Sequence, residues 1–397
     1  MDILKKIFKN LLKTTNLRLI RSAYDSIDWS QPLIGIMGQR GVGKTTLMLQ
    51  RIKLTDPEGS FSFYASLDNL WFADNNLFEL VDKLSEQGVT NFYFDEVHRL
   101  PGWERQIKNL YDSYPEFKIV FSGSSLLAID YSIGDLSRRA LLYPLQGLSF
   151  REFLLFEGVE PGDVLNLDEI LYNHVAKAGE IAQRIDILRY FKKYMAVGYY
   201  PFYKTMTATD YYIRLNRVVT TIIDSDIPAV KKNIEYETLI KAKRLVNIIA
   251  GGFPYTPNIS SLAGVMGCSR TQLLRLLDLL VRAGIIRSIY AGALSPNSLA
   301  KPQKILLNNT SLMQALDSPL IGTERECAFA SFLSPRYQLN YSRTGDFLVD
   351  RRYIFEVGGK NKKFNQIKDI PDSFLVVDDI AVGYENRIPL WLFGFLA

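Results

Sequence analysis

The chain has 397 residues, 47% of them hydrophobic and 22% charged, which allows several buried cores and excludes a disordered chain. Its net charge of +5 is mildly basic, compatible with nucleic acid without requiring it. Two cysteines (Cys268, Cys327) and two histidines (His98, His174) exclude a disulfide framework and a structural zinc cluster.

No apolar run reaches the ~18 residues of a membrane span, so no membrane partner is expected. Residues 3–20 read as an amphipathic basic helix. Ile3, Leu4, Ile7, Phe8, Leu11 and Leu12 share one face, with the lysines opposite. Such a helix either lies on a membrane surface or packs on the next domain, and packing is the expectation. Lys5, Lys6, Lys9 and Lys13 interrupt the apolar residues, so this is no signal peptide and a cytoplasmic chain is expected.

Residues 26–155 carry the first chemistry. Gly38-Gln39-Arg40-Gly41-Val42-Gly43-Lys44-Thr45 fits G-x-x-x-x-G-K-[ST], the phosphate-binding loop of nucleoside-triphosphatases. The apolar residues Leu33, Ile34, Ile36 and Met37 precede it, and a helix beginning with Thr46 and Leu47 follows. Glycines let the backbone N–H groups and the helix N-terminus face phosphate. Lys44 then reaches the β and γ phosphates, and Thr45 ligates Mg²⁺.

Phe61–Tyr64 reads as a strand and Asn75–Glu86 as a helix. Asn91-Phe92-Tyr93-Phe94-Asp95-Glu96 is an apolar strand ending in two acids, the Walker B pattern. Asp95 would hold Mg²⁺ through its water shell, and Glu96 would polarise the attacking water. Pro101-Gly102-Trp103-Glu104 opens another helix. Phe117–Phe121 is a strand ending in Ser122-Gly123-Ser124-Ser125. Ser122 or Ser124 is there either as a γ-phosphate sensor or as a helix cap. Arginine before the strand near Leu141 is either an arginine finger, in cis or toward a neighbouring subunit, or a surface residue. Strands alternating with helices imply a doubly wound parallel sheet with ligand at the carboxyl ends of its strands.

The phosphate loop, Asp95-Glu96, Pro101-Gly102-Trp103-Glu104, Ser122-Gly123-Ser124-Ser125 and Leu148-Ser149-Phe150-Arg151-Glu152-Phe153 together resemble the prokaryotic AAA-type ATPases with a poorly characterised C-terminal domain. The resemblance covers nearly the whole chain. It implies ATP as the nucleotide and a strand order of 5-1-4-3-2. It also implies Arg139 as the finger, with Arg138 standing where that family has glycine. Sites of this type often complete themselves across a subunit boundary, which implies a homo-oligomer. GTP is disfavoured, because Asn361-Lys362-Lys363-Phe364 lacks the aspartate of a guanine reader.

Residues 156–250 read as a helical lid and connector. Residues 251–317 resemble a winged helix: helix Ile259–Met266, turn Gly267-Cys268, cap Ser269, helix Arg270–Ala283, then wing strands Ile285–Ala291 and Lys304–Leu307. Leu273, Leu274, Leu277, Leu280 and Val281 are expected inside. Arg270, Gln272 and Arg275 remain outside as candidate DNA contacts, unless the module serves as a lid or protein contact.

Residues 318–397 are similar to the PD-(D/E)xK nuclease fold, with Glu326 on a helix, Asp346 and Glu356 on strands, and a basic helix over Lys362–Ile370. In that fold, carboxylates bind Mg²⁺ and a lysine two residues after the last acid orients water. Here that position is Gly358, and Lys360 is four residues on. Lys360 reaches the site only if Gly358-Gly359 bend the chain back. A degraded, non-cleaving module is the expectation.

The sequence therefore points to an α/β chain: a P-loop AAA-type doubly wound sheet, helical lid, winged helix and small nuclease-like domain. Its expected activity is Mg²⁺-dependent ATP hydrolysis coupled to a DNA- or protein-handling region. The alternatives are an ATP-gated DNA-binding regulator and a metal-dependent nuclease.

Overall fold

The computed structural model describes residues 1–123, 136, 138–231, 234–252, 257–291, 301–316 and 320–396. They form two compact units, Met1–Gly147 with Asp224–Ile234, and Leu148–Ile223 with Glu235–Ala397.

In the first unit, five strands form one parallel sheet: β1 (Leu33–Met37), β2 (Ser62–Ser66), β3 (Asn91–Asp95), β4 (Lys118–Gly123) and β5 (Leu141–Pro144). Their order is β5-β1-β4-β3-β2, the one expected. Strands β1 and β3 read as continuous apolar runs because helices cover both faces of such a sheet. All five residues of β1 are buried, and Phe92, Phe94 and Phe121 are fully enclosed. Because β3, β4 and β1 are neighbours, the loops leaving their carboxyl ends converge at one edge.

The N-terminal helix Asp2–Thr14 packs on this unit through Leu4, Phe8 and Leu12, with Phe8 edge-on to Phe63 at 5.8 Å. Ile3 and Ile7 stay exposed, so the apolar face is narrower than the sequence pattern. No helix among the described residues is long and apolar enough to cross a membrane.

The second unit begins at Leu148, just before the helix Phe150–Glu157, whose first six residues the expected nucleotide domain (26–155) includes. Ser149 and Glu152 form a capping box there. Phe150 packs against Phe191, Tyr194 and Phe395, all of this second unit. Residues 156–250 are mainly helical, as expected, but Asp224–Ile234 belongs to the first unit.

Helices Tyr236–Ala250, Ile259–Met266 and Arg270–Arg282 then lead into the antiparallel pair β6 (Ile286–Ile289) and β7 (Lys304–Leu307). Leu276 and Leu279 are buried where Leu274 and Val281 were expected, since two helices and a strand pack on Arg270–Arg282 and cover more than one stripe.

A mixed sheet closes the chain, with order β12-β11-β10-β9-β8: β8 (Leu339–Tyr341), β9 (Phe347–Val349), β10 (Tyr353–Gly358), β11 (Ser373–Val377) and β12 (Arg387–Pro389). The expected helix over Lys362–Ile370 is only a short turn, Phe364–Gln366. Its would-be first turn is committed elsewhere: the Lys362 carbonyl accepts from Arg387 Nη1 at 2.9 Å and its ammonium reaches Glu356. Pro371 then disfavours helical backbone at Ile370.

Candidate functional site

The phosphate loop leaves β1 at Gly38, where a Cβ would meet the Leu145 carbonyl oxygen at 2.1 Å, so only glycine fits. Gly43 adopts φ 104° and caps the helix Lys44–Thr55, which aims that helix's free N–H groups into the loop. Lys44 is buried and donates to the Gly38 and Gln39 carbonyls at 2.9 and 3.0 Å. Burial pulls its pKa below the ordinary lysine value, against the attraction of Glu96 and Asp95.

Asp95 is the hub. Thr45 and Ser122 donate their hydroxyls to its carboxylate, and Tyr64 donates at 2.9 Å. Burial and the Asp95 charge hold the Tyr64 phenol far above its usual pKa, so it remains a donor. Glu96 follows in the left-handed region at φ 53°, which turns its carboxylate toward the loop. Arg40 Nη2 lies 3.5 Å from Glu96, and His98 Nε2 lies 3.6 Å from it. His98 is neutral at pH 7, its pKa pushed down to about 3 by burial and the nearby Arg99.

Thr45 and Asp95 present hard oxygens side by side, the donor chemistry Mg²⁺ requires, beside a glycine-lined cradle of N–H groups. Thr46 is exposed on the helix. Ser124 lies outside the described residues, and Ser122 is the strand-end hydroxyl at Asp95.

Arg139 pairs with Asp112 at 2.9 Å and enters β5 from its amino end. At ~3.3 Å per residue, the five residues to Pro144 at the loop edge span roughly 16 Å. Arg139 therefore stands at the amino edge of the sheet, away from the strand ends that carry the phosphate loop.

Sequence reasoning missed three side chains. Arg21 clamps the loop, donating to Val42, Gln146 and Gly147 carbonyls at 2.9, 3.0 and 2.7 Å. Tyr64, in the middle of β2, is another, with no local signal in the sequence. Asp226 is the third: its side chain is fully buried, 2.5 Å from Arg99 and 3.8 Å from Arg40. Nothing local in the sequence marks it.

The C-terminal carboxylates also gather, but around lysines. Lys304, on β7, is buried and its Nζ lies 2.5 Å from Glu326 and 3.2 Å from Asp346. Val357 N–H donates to the other Asp346 oxygen at 2.8 Å. Burial lowers the Lys304 pKa, but Glu326 and Asp346 outweigh it and the net shift is upward. Burial, reinforced by Asp346 and opposed by Lys304, pushes Glu326 up to about 7. Glu356 pairs with Lys362 at 2.5 Å. Lys360, the expected partner, is exposed. The chain does turn at Gly358-Gly359, where Lys362 N–H donates to the Gly359 carbonyl, and that turn delivers the later lysine. Among the described residues, no group of three or more His, Cys, Asp or Glu is arranged to hold a metal. Arg270, Gln272 and Arg275 are all exposed on their helix, with the Gln272 amide engaged in a capping box with Ser269.

Residues 30–154 match the AAA domain family, and residues 188–324 match a domain of unknown function, DUF8612. An uncharacterized protein of Methanocaldococcus jannaschii is 28% identical over 391 residues, covering 90% of this chain and 81% of that one. Among solved structures, AMPPCP-bound DnaA from Aquifex aeolicus is 16% identical, covering 70% of this chain and 87% of that chain at TM-score 0.27. PCH-2 from C. elegans is also 16% identical, covering 40% and 46% at TM-score 0.25. Likeness at those scores bears no weight. The domain match and the five-stranded parallel sheet support an AAA-type nucleotide-binding domain in general.

Proposed function

We propose that this chain is a Mg²⁺-dependent ATP hydrolase whose nucleotide state is coupled to its C-terminal unit. The observation that carries the reading is the convergence of Thr45, Ser122 and Tyr64 on Asp95, with Glu96 beside the phosphate loop. Gly38 through Thr46 would cradle the triphosphate, and Lys44 would leave its own loop carbonyls to meet the β and γ phosphates. Thr45 and Asp95 would hold Mg²⁺, which supplies charge neutralisation on the phosphates. Glu96 would orient a water and accept its proton as the water oxygen attacks the γ phosphorus. The bond to the β-phosphate oxygen then breaks, leaving ADP and phosphate. As an arginine finger, Arg139 would act toward a neighbouring subunit of a homo-oligomer.

A second reading, ATP-gated DNA binding, is favoured by the exposed Arg270 and Arg275 on the second helix of a helix–helix–hairpin arrangement resembling a winged helix. Nuclease activity is disfavoured by Lys304, whose ammonium already stands between two of the carboxylates a metal would bridge.

The test is phosphate release from ATP with and without duplex DNA, alongside DNA mobility shifts at low and moderate salt. DNA-stimulated hydrolysis supports coupling to DNA. Arg270→Ala and Arg275→Ala are each expected to weaken binding and to lower the salt slope by about one. No shift at low salt removes the DNA reading and leaves a protein partner.

A further inference from the structure

The segment Asp224–Ile234 leaves the second unit, joins the first, and returns to the second. It carries Asp226 to the edge of the phosphate loop. Arg99 binds that carboxylate at 2.5 Å, and Arg99 Nη1 also donates to Ser225 at 3.0 Å. The second Asp226 oxygen is buried without a hydrogen-bond partner.

Arg40, the third residue of the phosphate loop, has its guanidinium between two acids, 3.5 Å from Glu96 and 3.8 Å from Asp226. Its Nε is also buried without a partner. One loop arginine is thus restrained by the acid that would activate water and by an acid from the inserted segment. A γ-phosphate entering the loop brings about two negative charges and strong acceptor oxygens, the ligand a guanidinium binds best.

We propose that Arg40 and Asp226 form a γ-phosphate sensor. Without nucleotide, Arg40 is tethered to Asp226 and Glu96. When ATP binds, Arg40 moves to the γ-phosphate, which frees Glu96 for water and leaves Asp226 on Arg99 alone. The inserted segment thereby reads the γ-phosphate and passes the change along the chain on both its sides, into Ile223 and Glu235. ADP, lacking that phosphate, leaves the tether in place. The proposal rests on the ATP-site reading above.

The test is fluorescent-nucleotide binding to the full chain, with ATPγS and ADP titrated separately against wild type, Asp226→Asn, Arg40→Gln and the double variant. Asp226→Asn loosens the tether and is expected to tighten ATPγS about three- to tenfold while leaving ADP unchanged. Arg40→Gln is expected to weaken ATPγS about tenfold more than it weakens ADP. In the Arg40→Gln background, Asp226→Asn is expected to change the ATPγS-to-ADP ratio no further, because the tether has only one function. Hydrogen exchange over 222–236 gives an independent readout: ATPγS is expected to raise it in wild type and not in Arg40→Gln.

If the two nucleotides shift equally in both single variants, or the effects simply add, the sensor is wrong while the ATP site stands. If wild type binds neither nucleotide, the site and the sensor fall together. Asp226→Glu keeps the charge, and wild-type behaviour there excludes misfolding as the source of the Asp226→Asn effect. Loss of ATPγS discrimination in Asp226→Glu overturns the proposal.

Discussion

Glu96→Gln is expected to slow ATP turnover by roughly 10²–10⁴-fold, the range typical for loss of a general base, while ATP affinity is unchanged or tighter. The amide keeps the shape of the side chain but cannot take the proton from water. Its binding partners also predict the direction of the affinity change. Glu96 is one of the two acids restraining Arg40 at 3.5 Å, so neutralising it releases the guanidinium toward phosphate. The measurement is single-turnover hydrolysis paired with nucleotide titration. Turnover within twofold of wild type would remove Glu96 from the chemistry and leave Asp95 with no partner acid for activating water. A parallel loss of affinity and turnover would instead mark Glu96 as a scaffold of the loop, held by its left-handed backbone just after β3.

Lys304→Met is expected to destabilise the C-terminal unit by about 3–5 kcal/mol, the cost of leaving buried carboxylates without their counter-ion. Methionine keeps roughly the length and the apolar stem of lysine, so the loss reports the ammonium, which pairs with the acids and stands 4.5 Å from the Phe347 ring centroid. Lys360→Met, four residues beyond Glu356 and exposed, is expected to stay within about 0.5 kcal/mol of wild type. Adding Glu326→Gln to Lys304→Met is expected to recover part of the loss, since an acid no longer has to be buried unpaired. Denaturant unfolding of the three variants decides it. Equal, small effects for Lys304 and Lys360 would show that the acids keep water or another cation beside them, and would reopen a metal-binding role for Glu326, Asp346 and Glu356.

These two sites differ in how much the sequence revealed. The phosphate loop and the Asp95-Glu96 pair are local patterns. Each lies at the end of an apolar strand, and a parallel sheet places the carboxyl ends of its strands together. The strand order then follows from the family resemblance and the alternation of strands with helices. Asp226 had no such signature. It comes from a helical stretch some 130 residues after Glu96, and only the chain's return to the first unit brings it to Arg40.

Lys304 was hidden for a similar reason. It reads as the first residue of a wing strand, and its acids come from the separate helix Ile321–Leu333 and the residue just before β9. A fixed acid-to-lysine spacing points to Lys360. The turn at Gly358-Gly359, not strand periodicity, decides which lysine arrives, and it delivers Lys362. The failed helix over Lys362–Ile370 has the same origin, because tertiary pairing of Lys362 overrides a weak local preference. Arg139 was legible as a residue but not as a position: only the parallel pairing of β5 with β1 reveals that it stands at the amino edge.

The most direct test is steady-state phosphate release from ATP by the full chain, with Mg²⁺ and with excess EDTA, compared with Lys44→Ala. Hydrolysis is expected to require Mg²⁺ and to fall at least ~100-fold in Lys44→Ala, the scale of losing one electrostatic stabiliser of the transition state. Phosphate release that persists in EDTA, or that is the same in Lys44→Ala as in wild type, would contradict the ATP-hydrolase reading.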